Sequence, residues 1–181
     1  YGDHNYNNST AEYDFEVYSA DPEITVVPTN ISYGQTETIT VNVPNDATGN
    51  VTITVGSYTE TKEISEGSSQ VVFNIPKTAG GDLLNANDYY VFANYSGDSN
   101  YNSAVTNAPF HVDPANTTLT IEVNNIPYGN DEIINITVNG VEGAAIPSGF
   151  VTITINGTDI DLTKRVGSDG KVSFNVTGLV V

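Results

Sequence analysis

Residues 89–98 read YYVFANYSGD, an alternating run of side chains that ends in turn-forming residues. Every second position of the run carries a side chain suited to a protein core, namely Tyr89, Val91, Ala93 and Tyr95. A period of two is typical of a β-strand with one buried and one exposed face. Because serine, glycine and aspartate favour turns, the stretch predicts a strand followed by a tight turn.

The same alternation recurs in four other segments between residues 39 and 112. The side chains predicted to face inward are Ile39, Val41, Val43, Val51, Ile53, Val55, Val71, Phe73, Ile75, Phe110 and Val112. Turn residues separate the segments, at Asn45-Asp46, Gly56-Ser57, Glu66-Gly67, Gly80-Gly81 and Gly97-Asp98. No segment shows the 3.6-residue period of an amphipathic helix. We therefore predict an all-β fold, in which about seven short strands in roughly 95 residues form an immunoglobulin-like β-sandwich.

An internal repeat with a spacing of about 95 residues runs through the chain. Tyr33-Gly34 returns as Tyr128-Gly129, which is 95 positions later. The segment NVTITVG from Asn50 returns as FVTITING from Phe150, with a few residues inserted ahead of the second copy. Tandem copies of one sandwich are therefore predicted.

The repeat divides the chain into three predicted pieces. Residues 1–20 form the C-terminal tail of a preceding repeat, with its last hairpin or strand. Residues 21–113 form a complete repeat, and residues 114–181 form a repeat that is truncated before its last strands. Two explanations of the partial repeats stay open at this stage. The sequence is either an arbitrary window on a longer array, or its partial ends are completed by other chains.

Acidic residues dominate the charge of the chain, with 22 Asp and Glu against five Lys and Arg and a net charge of −17. Nucleic-acid binding needs a cluster of basic residues, and an anionic membrane surface would repel this chain, so we expect neither partner. No apolar run reaches the length of a membrane span, about 18 residues. The chain has no cysteine for a disulfide, and no signal peptide is visible.

No set of residues has the spacing of an active site. His4 and His111 are the only histidines, and no acidic residue is spaced to make either one a catalytic base or a zinc ligand. We therefore predict that the chain is not an enzyme and has no cofactor. The recurrence of Gly97-Asp98 as Gly2-Asp3 makes Ca²⁺ a candidate ligand of these turns. Since no EF-hand-like series is present, aspartates that cap their own turns are favoured over a calcium site.

The strongest chemical signal is the density of N-x-Ser/Thr sequons, which are acceptors for N-glycosylation in exported proteins. The predicted sites are Asn7, Asn8, Asn30, Asn50, Asn94, Asn116, Asn135, Asn156 and Asn175. We expect Asn94 and Asn175 to point outward from their strands. We expect Asn30 and Asn135 to lie beside strand edges or turns, where a bulky sugar fits.

The order of these motifs resembles a known family. Tyr33-Gly34-Gln35 precedes the second strand, GNVTITV from Gly49 and QVVFNIP from Gln70 follow, and Leu84 stands ahead of YYVFANYSGDSNYN. This pattern is similar to the group 3 bacterial immunoglobulin-like repeat, whose hallmark is the Tyr-Ser-Gly-Asp turn. Arrays of such repeats that are rich in Asn, Thr and Tyr resemble the adhesin-like surface proteins of methanogenic archaea. The resemblance implies an extracellular location at the cell surface. It also implies a tyrosine corner at Tyr89, for which a plain core position is the alternative.

Three roles are compatible with this organisation. The first is a stalk or spacer in cell-surface adhesion, whose partners are neighbouring copies or repeats of the same protein. The second is a subunit of an extracellular filament or sheath, assembled by strand complementation between partial domains. The third is binding of cell-surface glycans, because Tyr90 and Phe92 fall on the outward side of their strand and offer rings for stacking.

Overall fold

The computed structural model describes residues 2–75 and 84–179, and within them it contains β-strands and no helix. The strands are β1 (Thr25–Val27), β2 (Ile31–Ser32), β3 (Glu37–Asn42), β4 (Asn50–Val55), β5 (Tyr58–Glu63), β6 (Gln70–Ile75), β7 (Asn87–Tyr95), β8 (Ala104–Asp113), β9 (Thr118–Glu122), β10 (Glu132–Asn139), β11 (Phe150–Thr154), β12 (Asp161–Arg165) and β13 (Lys171–Val176). The all-β prediction is confirmed for this part of the chain. The predicted turn at Gly80-Gly81 lies outside the described residues. None of the described residues belongs to a helix that could cross a bilayer.

Strands β1–β8, which we call unit one, form two sheets. The first sheet has the order β1-β3-β6, and the second has the order β2-β8-β7-β4-β5. Neighbouring strands are antiparallel, except for β2, which lies parallel to the end of β8. The strand predicted from the run that starts at Tyr89 is confirmed as β7, which lies between β8 and β4 inside its sheet. Unit one has eight strands, whereas the sequence pattern predicts about seven. Strands β1 and β2 are too short to show an alternating pattern of their own.

The inward side chains of both sheets form one core, so unit one is a two-layer sandwich. All the residues predicted to face inward are buried, at 6% exposure or less, apart from Tyr89, which is partly buried. Phe73 from the first sheet and Tyr95 from the second are fully buried. Each buried Val, Ile or Phe side chain stabilises the fold by about 1.5–3 kcal/mol relative to exposure. The alternation read from the sequence therefore identifies the core.

Strands β9–β13, which we call unit two, repeat part of this plan. One sheet has the order β13-β10-β9, and β11 pairs with β12. Phe174 lies opposite Ile134 as Phe73 lies opposite Ile39, so the register of unit one recurs. Unit two has a separate core, which is centred on Ile136 and Phe174.

The spacing between equivalent residues changes within unit two. Ile136 follows Val41 by 95 positions, whereas Val151 follows Val51 by 100 positions. Five additional residues therefore lie between Ile136 and Val151, of which two extend β10 and three lengthen the loop between β10 and β11.

Candidate functional site

The Tyr-Ser-Gly-Asp turn at residues 95–98 connects the end of β7 to the loop before β4. Ser96 Oγ accepts a hydrogen bond from the backbone N–H of Asn50 at 3.0 Å, and the Ser96 N–H donates to the Asn50 carbonyl at 2.9 Å. Asp98 Oδ2 accepts from the backbone N–H of Thr48 at 2.7 Å. Gly97 has a φ of 78°, and a Cβ there would lie 2.8 Å from the Ser103 nitrogen. Both the backbone conformation and the available space therefore require glycine.

Hydrogen bonds hold the Asp98 carboxylate in its ionised form. Its Oδ1 accepts from the backbone N–H groups of Asn100 at 2.7 Å and Tyr101 at 2.8 Å. The Thr48 N–H, followed by those of Asn100 and Tyr101, holds the pKa of this carboxyl well below its ordinary value of 3.8. Burial, followed by the nearby Asp98 carboxylate, raises the pKa of the Tyr95 hydroxyl to about 12. Asp98 thus caps its own turn, as predicted.

The first copy of the turn keeps the same local geometry. Asp3 Oδ1 accepts from the backbone N–H groups of Asn5 at 2.7 Å and Tyr6 at 3.0 Å. The Asp3 N–H donates to the Tyr6 carbonyl at 3.0 Å, as the Asp98 N–H donates to the Tyr101 carbonyl at 2.9 Å. Residues 3–6 therefore form the turn without a sheet beside them. Among the described residues there is no group of three or more His, Cys, Asp or Glu side chains arranged to hold a metal ion.

Tyr89 makes the hydrogen bond of a tyrosine corner. Its hydroxyl donates to the backbone carbonyl of Asn85 at 3.0 Å. Its ring stacks on Phe110, with the ring centroids 5.5 Å apart. The hydroxyl fixes the corner before β7, and the ring packs against the core, so both interpretations of this residue apply.

An exposed aromatic pair lies on the outward side of the five-stranded sheet. Tyr90 is 55% exposed and Phe92 is 56% exposed, with their ring centroids 6.4 Å apart. Beside them is a shallow depression of about 460 Å³, whose lining includes Phe92, Asn94 and Val105. We call Tyr90, Phe92 and this depression the aromatic face. The exposure predicted for the two rings is confirmed, and the face combines ring surfaces with amide and hydroxyl groups, which suit contact with a sugar.

All nine sequon asparagines are exposed. They lie in the segment before β1 (Asn7, Asn8), before β2 (Asn30), at the start of β4 (Asn50), in β7 (Asn94), between β8 and β9 (Asn116), in β10 (Asn135), after β11 (Asn156) and in β13 (Asn175). The outward orientation predicted for Asn94 and Asn175 is confirmed. The side-chain oxygen of Asn30 accepts a hydrogen bond from the backbone N–H of His111 at 2.8 Å.

The position predicted for Asn135 at a strand edge or turn is wrong. Strand β10 runs without a break from Glu132 to Asn139, and it is the central strand of its sheet. Asn135 therefore lies on the face of a sheet, where its Oδ1 accepts from Ser173 Oγ at 2.6 Å. Asn175 is exposed on the neighbouring strand, so the structure brings these two sequons onto one sheet.

His111 has acidic neighbours that sequence spacing did not reveal. Its Nδ1 lies 2.6 Å from Asp88 Oδ1, and its Nε2 lies 3.4 Å from Asp113 Oδ1. The hydrogen bond with Asp88, supported by both carboxylate charges, raises the pKa of the imidazole. Spacing along the sequence does not predict the contact with Asp88. The cause is the register of β7 and β8, which sets Asp88 directly opposite His111 although they are 23 residues apart.

A lysine connects the two layers in each unit, in an arrangement that we call the lysine clip. Lys62 Nζ in β5 donates to the Val72 carbonyl in β6 at 2.8 Å and lies 5.0 Å from the centroid of the Phe73 ring. In unit two, Lys164 Nζ donates to the Ser173 carbonyl at 2.7 Å and lies 5.4 Å from the Phe174 centroid. In unit one, β5 and β6 belong to different sheets, so the clip closes that edge of the sandwich.

Apolar residues equivalent to core positions are exposed in two places. Phe15 is 79% exposed, whereas the equivalent Phe110 is 4% exposed. Ile121 in β9 is 58% exposed, whereas the equivalent Val26 is 7% exposed. Among the described residues, no strand pairs with residues 9–18, and none pairs with β11 on the side opposite β12. Residues 9–18 and β9 therefore expose apolar side chains at positions that unit one buries.

Comparison with known proteins assigns no family, because no family model and no curated protein matches the chain. Among solved structures, 88% of the chain aligns with 22% of a β-glucuronidase from Parabacteroides merdae, at 9% identity and a TM-score of 0.39. The same share aligns with 55% of a structure from a 1.5-MDa bacterial ice-binding adhesin, at 18% identity and a TM-score of 0.38. It also aligns with 55% of the FN1–FN3 domains of chicken CNTN1, at 10% identity and a TM-score of 0.30. The chain thus spans only part of the length of each of these structures.

Proposed function

We propose that the chain is a non-enzymatic, immunoglobulin-like repeat module of an extracellular adhesin-like surface protein, in which it acts as a stalk or spacer. The observation that carries this proposal is the recurrence of the same register and the same lysine clip in units one and two. A structure built from repeated units gains length by adding copies, each of which contacts only its neighbours. The net charge of −17 would keep neighbouring stalks apart at a crowded surface.

The polar surface of both units supports an exposed, solvated role. Thr52 and Thr61 join their hydroxyls across β4 and β5 at 2.8 Å, and Thr152 and Thr163 do the same across β11 and β12 at 2.7 Å. Such threonine pairs stabilise a sheet whose outward side meets water. The exposed sequons fit the same environment, because a glycan needs room outside the fold.

Electron microscopy of native material tests this role. We expect antibodies against the chain to label the outside of intact cells, and negative-stain images to show beaded rods with one bead for each repeat. Label confined to the cell interior, or particles without any extended array, would overturn the proposal. Ordered polymers would instead favour the filament role.

Assembly into a filament or sheath is the second candidate, and the exposure of Phe15 favours it. Residues 9–18 correspond in sequence to β8, and Val17 is 84% exposed where its equivalent Val112 is fully buried. An extended segment with alternating apolar residues can add to an uncovered sheet edge of another copy, such as that of β11. The segment would then bury Phe15 and Val17 in the partner's core.

Sedimentation measurements across a concentration series separate the two roles. If strand complementation occurs, the chain forms oligomers, and Phe15→Ser with Val17→Ser returns it to a monomer. Tyr18→Ser is the matched control, because Tyr18 is 80% exposed and its equivalent Asp113 is also exposed. A chain that stays monomeric at all concentrations, or a Tyr18→Ser variant that loses assembly equally, argues against complementation.

A further inference from the structure

The lengthened connection of unit two forms an ordered loop between β10 and β11. We call residues 140–149 the docking loop, which corresponds to the shorter loop 43–49 of unit one. The Ala144 N–H donates to the Val141 carbonyl at 3.2 Å, which closes a turn within the loop. A Cβ on Gly140 would lie 2.7 Å from Pro147 Cγ, so the two ends of the loop pack tightly on each other. The insertion is thus a shaped element with its own contacts.

The docking loop lies against the Tyr33-Gly34 turn of unit one. A Cβ on Gly34 would lie only 2.5 Å from Val141 Cγ1, so this valine occupies the space that the glycine leaves. The Ala145 N–H also points to the Tyr33 hydroxyl at 3.4 Å, a long hydrogen bond. The Tyr33 N–H donates to the Asp113 carbonyl at 2.8 Å, which fixes the turn to the end of β8, immediately before the connection to unit two.

The same turn exists in unit two without a neighbour. Gly129 has a φ of 85° and Gly34 has a φ of 87°, so the two turns share one backbone conformation. No described atom lies within 4 Å of a Cβ built on Gly129, and Tyr128 is 75% exposed. The turn therefore does not need the valine in order to form. Contact with Val141 is an additional property of the first copy.

We propose that the docking loop and the Tyr33-Gly34 turn form a joint that fixes the orientation of unit two on unit one. An apolar depression of about 290 Å³, whose lining includes Pro114, Ala115 and Pro147, lies beside this contact. Val141 fills the space over Gly34 where a side chain would clash, so the orientation depends on this fit. The inference goes beyond the proposed role, since a stalk could be built from rigid or from flexible joints.

Distance measurements between two spin labels test the joint in the full chain. Because the chain has no cysteine, nitroxides attach only at introduced positions, for which we choose Thr59→Cys on β5 and Asp161→Cys on β12. Both positions are exposed and far in sequence from the joint. Double electron–electron resonance should give one narrow distance distribution. Gly34→Asn should broaden it, because asparagine tolerates a positive φ but its Cβ displaces Val141.

The second turn supplies the matched control for this experiment. Gly129→Asn introduces the same side chain at the same backbone conformation in open space, so the narrow distribution should persist. Val141→Ser approaches the contact from the other side and should broaden the distribution with unit one unaltered. A distribution that is already broad without these substitutions overturns the joint. The same holds if neither Gly34→Asn nor Val141→Ser broadens it, or if Gly129→Asn broadens it equally.

Discussion

Glu37, whose side chain is fully buried, accepts a hydrogen bond from the backbone N–H of Thr29 at 2.8 Å. Its second oxygen accepts from the Thr29 hydroxyl at 3.2 Å. In unit two, Glu132 accepts from the Asn124 N–H at 2.7 Å, and both of these residues lie 95 positions after their counterparts. A buried carboxylate without such donors would strongly destabilise the fold. The recurrence shows that each unit uses a glutamate to hold the loop that follows its first strand.

The buried glutamate predicts a pH dependence of stability. Burial raises the pKa of the Glu37 carboxyl above its ordinary value of 4.5, and the Thr29 hydrogen bonds offset only part of this rise. Between 4.5 and the raised value, the folded state binds more protons than the unfolded state. The free energy of unfolding therefore increases as the pH falls through that window. Glu37→Gln removes this dependence. The free energy of unfolding of the variant, relative to that of the unsubstituted chain, should therefore decline as the pH falls from 7 towards 4.5.

Urea unfolding at a series of pH values measures this difference. Glu63→Gln is the control for the loss of one negative charge, because Glu63 is exposed on β5. Glu37→Ala should also lose about 1–3 kcal/mol, since the Thr29 N–H is left without its acceptor. Parallel pH profiles for Glu37→Gln and the unsubstituted chain would rule out a contribution from this carboxyl.

The Tyr-Ser-Gly-Asp turn predicts a loss of stability in acid. Because hydrogen bonds depress the pKa of Asp98, its contribution is present above the ordinary value of 3.8 and is lost as the pH falls through the folded-state value. Asp98→Asn should lower the Tm by several degrees near neutral pH and reduce the further loss below 3.8. Asp3→Asn changes an equivalent turn outside the sheets and should leave the Tm unaltered. Calorimetry measures both Tm values. Equal effects of the two substitutions would count against a stabilising role of the Asp98 contacts with Thr48 and the turn after β7.

The lysine clip predicts a modest contribution to stability. Lys62→Met keeps an apolar stem over Phe73 but removes the cation and the hydrogen bond to Val72. The expected loss is about 1–2 kcal/mol, from a partly exposed cation–π contact and one hydrogen bond. Lys171→Met removes the same charge at an exposed position and serves as the control in chemical denaturation. A loss that is equal for both variants would assign the effect to net charge alone.

The sequence pattern predicts burial well and specific pairings poorly. Alternation is local, so Phe73 and Tyr95 could be placed in the core from their own strands. The pairing of Asp88 with His111 depends on the register between strands, which short-range patterns do not specify. The sequence pattern does not predict the burial of Glu37, because a charged residue is rarely fully buried, although its recurrence as Glu132 is a signal of a shared role. The contact between the docking loop and the Tyr33-Gly34 turn likewise depends on how the two units are placed, which sequence spacing does not specify.

The exposed sequons predict carbohydrate on the native protein. Glycopeptide mass spectrometry of material from its own source should find hexose-containing modifications on several of the nine asparagines. Asn94 and Asn156 are suitable positions for testing this modification, because both side chains are exposed. Asn94 lies within β7, and Asn156 follows the end of β11. Replacing the hydroxyl residue with Ser96→Ala or Thr158→Ala should abolish each modification separately, because the sequon requires it. Unmodified peptides at all nine positions would contradict this prediction.

The aromatic face predicts weak binding of oligosaccharides. Tyr90 and Phe92 present two rings on one side of β7, where hydroxyl and amide groups of neighbouring strands can reach a stacked sugar. We expect a glycan array to show binding, and Tyr90→Ser or Phe92→Ser to raise Kd about tenfold by removing a contact of roughly 1.4 kcal/mol. Val105→Ser alters an exposed apolar residue of the same depression, at 78% exposure, without removing a ring, and should retain binding. A flat array, or an equal loss for Val105→Ser, would mean that the rings do not form a sugar site. Binding that depends on both rings would make this sheet an adhesive surface of the module, in addition to the spacer role that we propose.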